Sequence, residues 1–141
     1  MAMFEGSSAA STRSRLRGFI RSLAGRGDEQ DEGDSQLQSV LRLRSELAAG
    51  HGDLLRMLAP NAVADALGDP DRIAAYAESL AAEALIRDRS GETERAAALR
   101  TRAVAVAREA KQRARAPDTA IEQLIARAGR LSDEDATGRT S

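Results

Sequence analysis

Apolar residues recur at helical spacing along most of this chain, and polar or glycine-rich stretches separate the runs. Between Thr12 and Ala24 the apolar positions are Leu16, Phe19, Ile20 and Leu23. That i, i+3, i+4, i+7 stripe predicts an amphipathic helix, flanked by Arg13, Arg15, Arg17 and Arg21, with Gly25 as its stop. A second helix is predicted from Ser35, where Ser35 and Gln38 have the spacing of a capping box. Its inner face would carry Leu37, Val40, Leu41, Arg44, Leu47 and Ala48, and Gly50 would close it in the C′ position. Two clipped helices follow, one over 54–58 capped by Asp53 and one opened by Pro60 and ending near Leu67.

The strongest pattern comes next. Asp69-Pro70 supplies an N-cap and a proline at N1, and the helix it opens runs to about Arg89. Ile73, Tyr76, Ala77, Leu80 and Ala84 should face inward, with Leu85 at the margin. Ser90-Gly91 breaks the pattern, and a second long helix should span about Thr93 to Ala116 with Ala96, Leu99, Ala103, Val106 and Ala110 inward. So short a connection implies antiparallel packing of the two helices. Pro117 opens a last helix with Ala120, Ile121, Leu124, Ile125 and Ala128 inward and Gly129 as its cap.

These runs divide the chain into a polar 1–11 segment expected to be disordered, a basic amphipathic helix over 12–24 and an acidic linker over 25–34. A helical domain over 35–129 and a polar tail over 130–141 complete it. The expected class is all-α, a small helical bundle.

The stretch from Tyr76 to Glu109 resembles a tetratricopeptide repeat. Ala84, Gly91, Ala96 and Ala103 occupy the places of that repeat's small residues and turn glycine. Arg87 stands where the first helix of the repeat usually carries an aromatic, and no proline ends the unit. The wider order also resembles an uncharacterised bacterial family of short tetratricopeptide-like proteins. Its amphipathic helix, Leu-rich helix, Leu-Leu…Pro corner and Asp-Pro-opened hairpin correspond to Leu16–Leu23, Leu37–Leu47, Leu54–Pro60 and Asp69 onward. The resemblance implies a helical hairpin used in protein–protein interaction. In its register Glu78, Ala81, Leu85, Asp88 and Arg89 would be exposed toward a bound peptide. One hairpin and one following helix fall short of the three repeats a groove-bearing solenoid needs, so the unit belongs in a compact bundle.

Composition narrows the function classes. Of 21 basic residues only Lys111 is lysine, and Phe4, Phe19 and Tyr76 are the three aromatics. An Ala-rich core is thin per residue, so its helices must approach closely. The chain has no cysteine, which excludes disulfides and thiolate metal sites and fits a reducing compartment. No apolar run nears 18 residues and no secretory h-region is present, so a cytoplasmic location is expected.

Candidate chemistry is sparse. His51, between two glycines and near Asp53, could be half of a general-base pair, but nothing completes a site, and a solvated loop histidine is the better reading. Asp28 to Asp34 matches a calcium loop in composition and not in ligand register. No catalytic residues, cofactor or metal are expected. A net charge of −1 and the lack of stacking aromatics argue against nucleic acid, and Arg108, Lys111, Arg113 and Arg115 suit a helix C-terminus.

The arm Thr12–Ala24 carries the functional content, through Arg13, Arg15, Leu16, Arg17, Phe19, Ile20, Arg21 and Leu23. It could dock into a partner protein, lie on an anionic membrane surface, or fold back on its own bundle. The expected function is a non-catalytic interaction module, a small adaptor or scaffold. The alternative is a peripheral membrane protein anchored by 12–24, and self-association remains open.

Overall fold

A computed structural model describes Ser11, residues 13–16, Gly18, residues 30–48 and residues 51–128. The fold is all-α, and no strand occurs among the described residues. Ser11, residues 13–16 and Gly18 are helical. Four helices are then bounded as α1 Gln30–Leu47, α2 Pro60–Leu67, α3 Pro70–Arg89 and α4 Thr93–Arg113, and residues 119–128 are helical. A 3-10 helix, Gly52–Met57, links α1 to α2. The expectations for Arg17, Phe19, Ile20, Arg21, Leu23, Gly25, Gly50 and Gly129, and for the two tails, lie outside the described residues.

The hairpin α3–α4 is built as its sequence dictates. Asp69 is the N-cap of α3, its side chain accepting from the Asp71 backbone N–H at 3.0 Å, and Pro70 occupies the first turn. The turn is a Schellman motif: Glu92 N–H donates to Arg87 O at 2.9 Å and Gly91 N–H to Asp88 O at 3.1 Å. Gly91 takes φ +86°, where a Cβ would be strained. Ile73, Tyr76, Ala77, Leu80 and Ala84 of α3 are all buried, as are Ala96, Ala103, Val106 and Ala110 of α4, while Leu99 packs partly buried against the same core.

α3 is the axis of the bundle, packed against α1, α2 and α4. A helix small or apolar around its whole circumference is a buried helix, and α3 buries even Glu78, Ser79 and Glu83. Two apolar clusters result. The larger joins the hairpin seam to Leu55, Val63, Leu67 and Ile121; the smaller holds Leu16, Val40, Leu43, Ala82 and Ile86.

Several boundaries differ from the sequence reading. α1 begins at Gln30, five residues before Ser35, so the second half of the expected acidic linker is helical. The helix dipole favours acidic residues in a first turn, and an interior glycine costs only about 1 kcal/mol, so Asp-Glu-Gly-Asp can be a helix start. In α1 the deeper contact belongs to Leu43 and not to half-buried Leu41. The element expected over 54–58 is the 3-10 helix Gly52–Met57, with His51 and not Asp53 in the N-cap position. α4 ends at Arg113, three residues early, with Ala114 already extended at ψ 141°. The last helix is capped by Asp118, whose Oδ1 accepts from Ile121 N–H at 3.2 Å.

Candidate functional site

Three carboxylates meet one guanidinium on the flank of α3. Asp71 and Glu78 lie on α3 itself, and Asp118 caps the last helix. Arg13, from the N-terminal segment, enters between them. Its Nε donates to Glu78 Oε1 at 2.6 Å, Nη1 lies 3.1 Å from Asp71 Oδ1, and Nη2 lies 2.9 Å from Asp118 Oδ2. Each nitrogen therefore has its own carboxylate, an arrangement the planar fork of arginine allows and the point charge of lysine does not.

Arg13 is 7% exposed and Glu78 is 3% exposed, so the pair sits inside the fold. Burial works to lower the Arg13 guanidinium, but the Glu78 and Asp118 carboxylates together outweigh it and hold Arg13 above its ordinary value. Three residues on, Leu16 is wholly buried among Val40 and Leu43 of α1 and Ala82 and Ile86 of α3. Arg13 and Leu16 share one helical face, while Ser11, Ser14, Arg15 and Gly18 are exposed. Among the described residues of the segment, the buried side chains are Arg13, on the flank of α3, and Leu16, between α1 and α3.

A second ionic cluster lies beyond it. Arg44 of α1 donates from Nε to Ser79 Oγ at 2.9 Å, from Nη1 to Glu83 Oε1 at 2.6 Å and from Nη2 to Ser79 O at 2.9 Å. Arg87 donates to the other oxygen of Glu83 from one turn later in α3. Burial works to raise the Glu83 carboxyl, but the hydrogen bond and charge of Arg87 and of Arg44 prevail and hold it below the usual glutamate range. Arginines also fasten backbone ends: Arg72 Nη2 donates to Leu47 O at 2.7 Å, and Arg102 Nη2 to Leu55 O and Leu58 O at 2.7 and 2.9 Å.

The expected peptide-facing residues separate into two groups. Glu78 is not on an open surface; it is buried and held by Arg13. Ala81 and Leu85 are half-buried, and Asp88 and Arg89 are exposed. The correction has a physical cause. At Glu78 the face of α3 that the tetratricopeptide register leaves open is met here by Arg13 of the chain's own N-terminal segment. Of the arm residues, Arg13 and Leu16 turn inward and Arg15 outward.

Asp71, Asp118, Ser79 and Glu83 were not singled out from the sequence. Asp71 and Asp118 read as terminal acids, and the partners of Arg13 lie 58, 65 and 105 residues away, which leaves no spacing to find. Arg44 did fall on the inward stripe of α1, which was the available signal for a buried ion pair.

Beside the cluster an open cleft of about 460 Å³ is lined by Asp69, Asp71, Ala110, Arg115, Pro117 and Asp118. No group of three or more His, Cys, Asp or Glu among the described residues is arranged to hold a metal ion. His51 is half-buried at the start of the 3-10 helix. No helix among the described residues is long and apolar enough to cross a membrane. Comparison with protein-family models, with curated proteins and with solved structures gave no match.

Proposed function

We propose that this chain is a non-catalytic protein-interaction module, a small cytoplasmic adaptor of tetratricopeptide-like design, whose working surface is the flank of α3. One observation carries the reading. A helix at the centre of the bundle offers a buried carboxylate, Glu78, to a guanidinium arriving from a short segment 65 residues away. That is how a receptor face engages a helical ligand: a charge-assisted anchor beside an apolar recess. The half-buried Ala81 and Leu85 and the exposed Asp88 and Arg89 continue that flank toward solvent.

The membrane alternative gains less support. An arm lying on lipid would need Leu16 for the bilayer and Arg13 for the headgroups, and both are committed to the bundle.

Photo-crosslinking in the native host tests the interaction role. A crosslinker at Asp88 or Arg89 should trap one protein in stoichiometric yield, and the same crosslinker at Thr101 on the exposed side of α4 should not. That protein, purified, should bind the wild-type chain and lose affinity for an Asp88→Arg/Arg89→Glu variant. Equal trapping at all three positions, or none, would remove the reading.

A further inference from the structure

Sulfur enters this chain only through methionine, since no cysteine is present. Met1 and Met3 lie outside the described residues, and Met57 ends the 3-10 helix Gly52–Met57. Methionines commonly fill irregular gaps in cores, and Met57 does not. It is 83% exposed, and Leu54, on the same 3-10 helix, is 54% exposed; these are the exposed large apolar residues among those described. Leu55 between them turns inward and is buried in the main core, and half-buried Leu58 packs against the same core.

The backbone at this corner is held in place. Leu58 N–H donates to Leu55 O at 3.3 Å, and Arg102 Nη2 of α4 donates to Leu55 O and Leu58 O at 2.7 and 2.9 Å. The carbonyls on either side of Met57 are thus pinned by one side chain of α4, and the thioether projects from a fixed position into water. A thioether needs no activating base. Its sulfur lone pair is unprotonated across the pH range of proteins, so access to oxidant sets its rate.

We propose that Met57 is a reversible oxidation site that takes hydroperoxides as its substrate. The sulfur lone pair attacks the terminal peroxide oxygen, and the O–O bond breaks as the S–O bond forms. Sulfur loses two electrons, the peroxide gains them, and after proton transfer water or an alcohol leaves. Return to the thioether takes two thiols, through a thiol-dependent sulfoxide reductase; they become a disulfide and the oxygen leaves as water. The usual damage from methionine oxidation is a polar sulfoxide forced into a core or an apolar interface. Here the added oxygen meets water, so the fold is the same in both states while the Leu54–Met57 corner turns from apolar to polar and back. The site belongs to the 3-10 helix and uses nothing of the flank of α3, so it stands or falls apart from the interaction reading.

The test treats the full chain with hydrogen peroxide and follows sulfoxide at Met57 by peptide mapping. N-acetylmethionine amide in the same solution is the fully accessible reference, and a Met57→Leu variant keeps Met1 and Met3. Met57 should oxidise within about threefold of the reference rate. The oxidised chain should keep the urea midpoint of the untreated one, and its retention on a phenyl column should fall by more than the variant's. The two reductases, one for each sulfoxide epimer, should restore Met57 with dithiothreitol and without urea. Protection of Met57 by more than about tenfold overturns the proposal, since the thioether would then be covered. A urea midpoint lowered by oxidation in wild type and not in the variant also overturns it, because oxidation would then be a packing lesion. Repair only in urea rejects reversibility. In native-host cells with protein synthesis blocked, Met57 sulfoxide should rise on peroxide exposure and fall after its removal, and a level that never rises or never falls rejects the role.

Discussion

The two sides of α3 are held by opposite means. Toward α4 the seam is dry and small: Ala74, Ala77, Ala103, Ala107 and Ala110 sit beside Ile73 and Val106. Small residues let the helices come close, and close approach compensates in dispersion contacts for the little surface each alanine buries. Toward α1 and the N-terminal segment the described residues add ionic contacts, Arg13 on Glu78 and Arg44 on Ser79 and Glu83, to a smaller aliphatic cluster of Leu16, Val40, Leu43, Ala82 and Ile86. Apolar packing is insensitive to charge and pH, whereas a buried ion pair is conditional on both partners. The seam therefore fixes the fold, and the ionic side is where the molecule can respond.

The contrast is broken most severely from the seam. Ile73 is wholly buried, and Ile73→Ala should destabilise the whole domain by about 2–5 kcal/mol, seen as a lower urea midpoint with an unchanged slope. On the ionic side Arg13→Ala removes the guanidinium from a buried carboxylate, which in a rigid site costs about 3–5 kcal/mol. Here the loss is capped. Of the three carboxylates that Arg13 serves, Asp71 is already largely open to water. The midpoint should shift by less than for Ile73→Ala, while amide exchange at residues 13–16 approaches the unprotected rate and α4 stays protected. Equal loss of protection in α4 would mean that the segment is part of the main core.

The seam was also the part legible in the sequence. Asp69-Pro70 and Ser90-Gly91 fixed the ends of α3, and the inward stripes of both helices followed from spacing alone. Local rules suffice where capping and periodicity are local. The ionic side was not legible in the same way. A polar stripe at 78, 79 and 83 reads as the solvent side of an amphipathic helix, and whether it is one depends on what packs there from 35 to 65 residues earlier. The shift of the α1 start to Gln30 has the same origin: acidic composition reads as linker, but at a helix N-terminus it is also favourable.

A smaller effect separates the sides by pH. Glu83 has a folded value below that of an exposed glutamate, so its ionisation stabilises the fold at neutral pH. That contribution is complete above the ordinary glutamate range and is lost as pH falls through the depressed folded value. Urea midpoints for wild type should therefore fall, as pH drops below the ordinary glutamate range, more steeply than those of Glu83→Gln, with the variant less stable at neutral pH and the gap narrowing in acid. Parallel curves would mean that Arg44 and Arg87 do not stabilise the ionised form.

The smallest effect isolates burial from charge. Lys111 and Glu122 pair at 3.6 Å between α4 and the last helix, with side chains 58% and 49% exposed. By sign, and in joining two elements, this looks like a weaker version of Arg13–Glu78, but water screens it and both long side chains lose entropy in holding it. Lys111→Ala should change stability by no more than about 0.5 kcal/mol, and raising salt to about 1 M should change it by no more. A loss near that of Arg13→Ala would show that the last helix depends on its ion pair for its place. In that case Asp118, which caps that helix and grips Arg13, would couple the two, and the ionic side would extend around the bundle to the cleft beside Pro117.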